Sequence, residues 1–269
     1  MTSELIFRGP PRKRRKTRLA KVFAWTLIGL GVLALADAGV TLVWQEPVSA
    51  LYATVRQSSL EGQLREIERE APSVREREEL ERVRDERNRV ALLAARMERR
   101  SSLGSAIGRI DIPKIGSDFV LIDGTGTSEL EAGPGVYSKK SYPGVTFPGI
   151  AGTTAIAGHR TTFLEPFKHI AELRRGEHIY ITMPYARFTY TILGEHAVLP
   201  TNTVAVVSRK SYTGLVLSSC TPEFSAEKRL LVFAKLTRTQ PRGAAVVPKR
   251  PEPRKPERST SLVPGLTQS

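Results

Sequence analysis

The fold is decided by residues 214–236, which read GLVLSSCTPEFSAEKRLLVFAKL. Two apolar runs, GLVLSSC and RLLVFAKL, have the length and the Val and Leu content of buried strands, and the polar stretch TPEFSAEK between them reads as a loop. Cys220 closes the first run, and Arg229 opens the second one nine residues later. If the two strands are neighbours, the loop returns Arg229 to Cys220, where a guanidinium could hydrogen-bond a developing oxyanion or orient a bound peptide.

Cys220 is the only cysteine in the 269 residues, which excludes an intrachain disulfide framework and a CxxC redox or zinc pair. The thiol is either an inert core group or a nucleophile, and a nucleophile needs a partner that maintains the thiolate. The chain has four histidines, His159, His169, His178 and His196. His159 follows the apolar run TTAIAG at a strand end, after a glycine that allows close approach, so its position favours it as the base.

Short strand patterns continue through residues 108–236. Further runs are GRIDIPKIG, DFVLIDG, TTAIAG, HIYITM and RFTYTILGEHAVLP, and Gly and Pro separate them. SELEAGPG and EPFKHIAELRRG read as short helices that stop at glycine. This mainly β pattern predicts a closed barrel or a sandwich with short helices.

Residues 22–44 predict a transmembrane anchor, because they hold 23 residues with the single charge of Asp37. The basic block PRKRRKTRLAK precedes them, so we expect residues 1–21 to form a cytoplasmic tail and the rest of the chain to lie outside. A cleaved signal peptide is the alternative, since Val48-Ser49-Ala50 resembles a cleavage site, but signal h-regions span only about 7–15 residues.

Residues 45–107 are rich in Glu and Arg and predict a helical stalk or linker. Ser73 and Glu76 form a capping-box pattern, and strong helix formers continue to Arg100. The apolar positions make a thin stripe that Arg87 interrupts: Leu80, Val83, Val90 and Ala94. We therefore expect a solvated helix, with weak self-association as the alternative.

The net charge of +14 belongs to the two ends of the chain. Residues 1–21 carry a net +7 and residues 235–269 a net +6, so the middle presents no basic face and nucleic acid is not an expected partner. Residues 237–269 are rich in Pro, Lys and Arg and predict a disordered tail. The tail is either simply solvated or attracts anionic wall polymers.

The succession IAGHR, LVLSSC and RLLVFA resembles the sortases, the membrane-anchored cysteine transpeptidases of Gram-positive cell surfaces. That family has a TLxTC-type strand ending in the nucleophile, an upstream histidine and an arginine on the following strand. The stretches GTTAIAGHRTTF and CTPEFSAEKRLLV look most like class E sortases. The resemblance covers about residues 108–236 and implies a closed sortase-type β-barrel as the catalytic domain.

The resemblance assigns roles to three residues: Cys220 as nucleophile, His159 as general acid/base and Arg229 as the arginine that stabilises oxyanion and substrate. It implies cleavage of an LPxTG- or LAxTG-like C-terminal sorting signal on a secreted protein. The acyl group would then pass to a peptidoglycan amine or to its lipid-linked precursor. The anchored enzyme would act at the outer face of the cell membrane, and we expect neither a cofactor nor a bound metal.

Substrate-binding residues follow less directly from the resemblance. The family's first threonine is Val216 here and the one beside the cysteine is Ser219, whose hydroxyl would keep a contact to substrate. Thr221, which begins the loop after the cysteine, and Thr161 in GHRTTF are the other predicted substrate-binding residues.

Two other functions remain open on the residues alone. A wall-cleaving cysteine peptidase is one, although papain-type chains place the cysteine before the histidine and this chain reverses the order. A membrane-anchored adaptor for wall or division partners is the other, and it would keep its function as Cys220→Ala.

Overall fold

Eight strands close into a barrel in the computed structural model, which describes residues 15–44, 47–138, 142–200 and 212–246. The strands are β1 (Ala106–Ile112), β2 (Ser117–Asp123), β3 (Gly135–Val136), β4 (Thr153–Ala157), β5 (His178–Met183), β6 (Ala186–Pro200), β7 (Gly214–Thr221) and β8 (Lys228–Pro241). Their order around the barrel is β1-β2-β3-β4-β7-β8-β6-β5. The predicted closed barrel is confirmed, and every predicted strand run contributes a strand.

The strands that carry the candidate site lie side by side. β4 pairs with β7 in parallel, and β7 pairs with β8 antiparallel. All five residues of β4 are buried, as are the first six of β7, which fits the absence of charged residues from both runs. The barrel interior is filled by branched aliphatic and aromatic side chains, including Ile110, Ile156, Phe167, Tyr190, Leu217 and Val232.

Four helices precede the barrel and one short helix follows β2. They are α1 (Arg15–Trp44), α2 (Pro47–Arg69), α3 (Val74–Arg82), α4 (Glu86–Arg100) and α5 (Thr127–Ala132). Within α1, the segment Ala20–Val40 has a mean hydropathy of 1.8 and is long and apolar enough to cross a membrane.

The predicted helix start at residue 73 is confirmed. The Ser73 side chain accepts from the backbone N–H of Glu76, and the Glu76 side chain accepts from the backbone N–H of Ser73. The helix does not continue unbroken to Arg100, because α3 ends at Arg82 and Asp85 caps the start of α4. Asp85 accepts from the backbone N–H of Asn88 at 2.9 Å, and such a cap favours a new helix at this point.

The helices do not form the solvated stalk that the sequence predicted, because their apolar sides pack on the barrel. Leu60 and Leu64 of α2 lie in one buried cluster with Ala106, Val120 and Ile122. Val90 and Ala94 of α4 join the main core. A stripe too thin for a coiled coil is wide enough here, because the barrel supplies the other apolar wall.

The ordered chain extends past residue 236, where the sequence predicted the barrel to end. β8 runs to Pro241, and a 3₁₀ helix (Gly243–Ala245) follows. Ala245 is fully buried, and its carbonyl accepts from Nε of the buried Arg89 at 3.0 Å. Residues 237–246 therefore belong to the barrel rather than to a disordered tail, and the rest of the predicted tail lies outside the described residues.

The predicted helix in EPFKHIAELRRG is also shorter than expected. Its regular part is the single 3₁₀ turn Ile170–Glu172. Phe167 and Ile170 are fully buried, so the segment follows the core rather than the 3.6-residue helical period.

Candidate active site

The candidate histidine and cysteine leave the barrel at the same edge. β4 and β7 are parallel, with Ala157 opposite Ser218. The pairing extends one step further, because the backbone N–H of Gly158 donates to the carbonyl of Ser218 at 3.1 Å. His159 and Cys220 each come two residues after the Ala157–Ser218 pair, so parallel strand ends bring them together.

The arginine reaches the cysteine across the antiparallel pair. Cys220 lies directly opposite Arg229 in the β7–β8 register. Nη1 of Arg229 donates to Sγ of Cys220 at 3.1 Å, and the same nitrogen lies 3.3 Å from the carbonyl oxygen of Ala226. The carbonyl contact holds the guanidinium over the strand end, where its charge attracts a thiolate or an oxyanion.

The segment that follows His159 holds its backbone and ring in place. The carbonyl of His159 accepts from the N–H of Phe167 at 2.9 Å, and the ring of His159 packs against Phe163 with 5.0 Å between centroids. A Cβ at Gly158 would lie 2.7 Å from the Phe167 ring, so only glycine allows this close approach.

A groove of about 380 Å³ opens beside these residues. It is lined by the three predicted catalytic residues, by helix α5 and by the β2–α5 and β3–β4 connections, and the lining residues include Thr125, Thr127, Leu130, Tyr137, Tyr142 and Pro143. A second, larger cavity of about 730 Å³ lies between the N-terminal helices and the other side of the barrel. The smaller one is the candidate active site, because the predicted nucleophile and its predicted partners line it.

Two tyrosines in the groove wall carried no signal in the sequence. Tyr137 and Tyr142 meet edge to face, with 4.6 Å between ring centroids. Burial raises the pKa of Tyr137, and the neighbouring Ser218 hydroxyl opposes part of that rise. Tyr137 and Tyr142 both line the groove, so their rings form part of its wall.

Ser219 lines the groove, and its predicted contact with substrate stays a prediction. It is 2% exposed, and its Oγ donates to the carbonyl of Gly158 at 2.8 Å. Neighbouring residues of a strand point to opposite sides, so the side chain next to Cys220 is turned away from it. Ser219 ties β7 to the peptide that precedes His159.

The two predicted threonines lie beside the groove. Thr221 accepts from Nη1 of Arg160 at 3.3 Å, and neither Thr221 nor the half-buried Thr161 is among the described residues that line the groove. Their predicted contact with substrate stays a prediction.

Arg160 is a site residue that the sequence reasoning passed over, although it stands in the AGHR motif. Its side chain is only 12% exposed. The guanidinium bonds the carbonyl of Lys168 through Nε at 3.4 Å, the Thr221 hydroxyl through Nη1, and Glu223 through Nη2 at 3.1 Å. It therefore joins the segment after His159 to the loop after Cys220.

The other three histidines are not among the described residues that line the groove. Nδ1 of His169 lies 2.7 Å from Glu172 on the surface, and Nδ1 of His178 lies 3.2 Å from the Thr191 hydroxyl on the β5–β6 pair. His196 lies in β6.

Comparison with known proteins identifies sortases as relatives of this chain. A family model described as the sortase domain matches residues 110–237. Sortase D of Bacillus subtilis is 32% identical over 136 residues, which cover 49% of this chain and 64% of that protein. Sortase SrtE1 of Streptomyces coelicolor is 27% identical over 149 residues, which cover 52% of this chain and 42% of that protein.

A solved structure of sortase E from Streptomyces avermitilis is 30% identical. That match covers 52% of this chain and 93% of the other, with a TM-score of 0.46. Of the two curated relatives, by contrast, the chain spans less than two thirds of the length. Residues 110–237 of this chain are a sortase domain.

Proposed function

We propose that this chain is a cysteine transpeptidase that cleaves a C-terminal sorting signal of the LPxTG or LAxTG kind between Thr and Gly. The observation that carries the proposal is the 3.1 Å contact from Arg229 to Sγ of Cys220, at the edge where His159 also leaves the barrel. A thiol, a guanidinium and an imidazole along one groove are the groups that acyl transfer through a thioester requires.

Acylation begins with the Cys220 thiolate, which attacks the carbonyl carbon of the substrate threonine. A C–S bond forms and the carbonyl oxygen becomes an oxyanion, towards which Arg229 donates. The tetrahedral intermediate collapses when the C–N bond to glycine breaks. Protonated His159 gives its proton to the leaving amine, and the product is a thioester on Cys220.

Deacylation runs through the same groups in reverse roles. An amine attacks the thioester carbon while His159 accepts its proton, and the C–S bond breaks to regenerate the thiolate. A cell-wall amine, on a peptidoglycan cross-bridge or on a lipid-linked precursor, is the acceptor that suits a surface enzyme.

The membrane placement belongs to the same proposal. The span Ala20–Val40 follows a basic segment, so the N-terminus faces the cytoplasm and the barrel lies outside. An enzyme tethered at the membrane surface meets membrane-bound substrates at a raised effective concentration. Secreted proteins that carry a sorting signal are its partners in this scheme.

The test is mass spectrometry of the full chain in detergent micelles with LPxTG and LAxTG peptides. We expect an acyl adduct on the peptide fragment that contains Cys220, and release of the adduct when an amine-bearing peptidoglycan stem peptide is added. Cys220→Ala is the control and should form no adduct. Absence of adduct and of cleavage with every peptide, while Cys220 remains open to alkylation, would refute the proposal. Release by water alone at saturating amine would indicate a peptidase instead.

A further inference from the structure

Helix α2 presents two opposite faces, and only one of them has a partner in the described structure. The inner face packs on the barrel through Gln57, Leu60 and Leu64, and Ala53 on the same face is buried. The outer face carries large apolar side chains with exposures of 77, 67, 45 and 62%, which belong to Val48, Leu51, Tyr52 and Val55. The spacing of these four residues, i, i+3, i+4 and i+7, places them on one stripe of the helix. We call them the α2 stripe.

The α2 stripe is confined to the end of the helix that follows the candidate span. Further along the same face come Ser59, Gly62 and Glu66, which are small or polar and exposed. Val48, by contrast, follows the last residue of the span, Val40, by only eight positions. The face therefore changes from apolar to polar with distance from α1.

We propose that the α2 stripe lies in the outer lipid surface, so that α2 enters the membrane interface at its first turns and leaves it towards Glu66. The inference rests on the proposed membrane anchorage of α1. A helix with an apolar face and a tyrosine suits the headgroup boundary, where the ring stays in lipid and the hydroxyl reaches water. The only charged residue among 47–60 is Arg56, which suits a phosphate headgroup, and the first acidic residue of α2 is Glu61.

A second copy of the chain fits the α2 stripe less well than lipid. Stable protein interfaces bury about 800 Å² per partner, and four side chains on two turns of helix supply much less. A dimer interface would also not explain why the apolar residues occur only on the part of α2 nearest the span in the chain. The continuity of the stripe with the span favours the lipid surface.

The consequence for the catalytic groove comes from the inner face of α2. Nε2 of Gln57 donates to the carbonyl of Ala132 at 2.7 Å, and its Oε1 accepts from the backbone N–H of Val120 at 2.8 Å. Ala132 ends α5, whose Thr127 and Leu130 line the groove. Because α2 is hydrogen-bonded both to β2 and to α5, the depth of α2 in the lipid sets the height and tilt of the groove above the membrane.

The experiment measures immersion depth by spin labelling of the full chain. Cys220→Ala provides a cysteine-free background, and single labels enter as Leu51→Cys, Ser59→Cys and Glu66→Cys. The chain is reconstituted into vesicles of phosphatidylglycerol and phosphatidylethanolamine, and each label is tested against oxygen, which concentrates in lipid, and a nickel chelate, which stays in water. We expect oxygen to dominate at position 51 and nickel to dominate at 66, with 59 between them.

Two control labels separate this inference from the anchorage on which it rests. Leu30→Cys reports on α1, and Val74→Cys reports on an apolar position of α3 that is 74% exposed and follows the end of the span by 34 residues. Lipid exposure at 30 with water exposure at 51 overturns the α2 proposal alone. Water exposure at both overturns the anchorage. Spin–spin broadening at 51 without oxygen dominance identifies a second copy as the occupant and also overturns the proposal. These readouts require no turnover, so a failed transpeptidase assay leaves the result intact.

Discussion

Arg160 offers a sharp test of how the site is held together. Arg160→Ala removes three contacts at once, to the Lys168 carbonyl, the Thr221 hydroxyl and the Glu223 carboxylate. The Glu223 side chain is 51% exposed, so the ion pair itself is worth at most about 1 kcal/mol and the barrel should still fold. The larger effect is on geometry, because Arg160 is the described side chain that links the residue after His159 to the loop after Cys220. Misplacement of a reacting group by about 1 Å costs about 100-fold in rate, so we expect kcat to fall between about 10-fold and 100-fold.

The assay compares thioacyl formation, its pH profile and the unfolding temperature across a small set of variants. Arg160→Lys restores the charge for Glu223 but cannot also reach Thr221, so it should recover only part of kcat. The control is Arg109→Ala, which removes a partly buried arginine of β1 that is paired with Asp118 of β2 and Glu61 of α2. We expect this control to lower the unfolding temperature and to leave kcat and the pH profile unchanged.

The positioning role of Arg160 is refuted if Arg160→Ala keeps kcat within about twofold of the parent with an unaltered pH profile. It also fails if Arg109→Ala loses as much activity, because the effect would then reflect general stability rather than the position of the two loops.

Three further outcomes follow from the same contacts. Arg229→Lys should slow acylation by about 10²–10³-fold, since one ammonium cannot replace the planar donors beside Sγ; a near-normal single-turnover rate would contradict this. His159→Ala should cost about 10²–10⁴-fold in kcat, whereas His178→Ala, on the β5–β6 pair, should keep most activity; equal losses would mean that the wrong histidine is assigned. Burial and the charge of the facing Asp118 raise the pKa of Asp111, so its carboxylate subtracts stability once pH exceeds the usual carboxyl range. Asp111→Asn should therefore raise the free energy of unfolding at pH 7 by about a few tenths of a kcal/mol and lose this advantage near pH 3; no difference at pH 7 would exclude the repulsion.

The sequence was informative where a local pattern determines the structure. The apolar parts of β4, β7 and β8 are mostly buried, and their length, their branched side chains and the flanking Gly and Pro favour strands. The nine-residue interval between Cys220 and Arg229 is short enough for a hairpin, and the observed register places the two residues opposite each other. Local chemistry was also sufficient for the capping box at Ser73.

The sequence was uninformative where the partner is distant in the chain. Val90 looked like part of a solvated helix, because the barrel wall that covers it begins many residues later. Ala245 stood in a Pro- and Arg-rich tail, and its contact with Arg89 and its place in the main core are long-range features that this composition does not reveal. Ser219 matched a family position by type, but its hydrogen bond to the Gly158 carbonyl could not be foreseen, because neither strand's own sequence identifies the strand with which it pairs.

Several long-range contacts meet at the short segment 158–160, and they explain how a loop can hold the histidine in position. Gly158 is fixed on one side by the Ser219 hydroxyl and on the other by the ring of Phe167, which fills the space where a Cβ would lie. His159 is held through its carbonyl by the N–H of Phe167, and Arg160 is held by the loop that leaves Cys220. Each backbone unit around the imidazole is thus attached to β7, to the loop after it, or to the barrel core. Since the same elements carry Cys220, the thiol and the imidazole share one frame, and a disturbance of either strand end moves both.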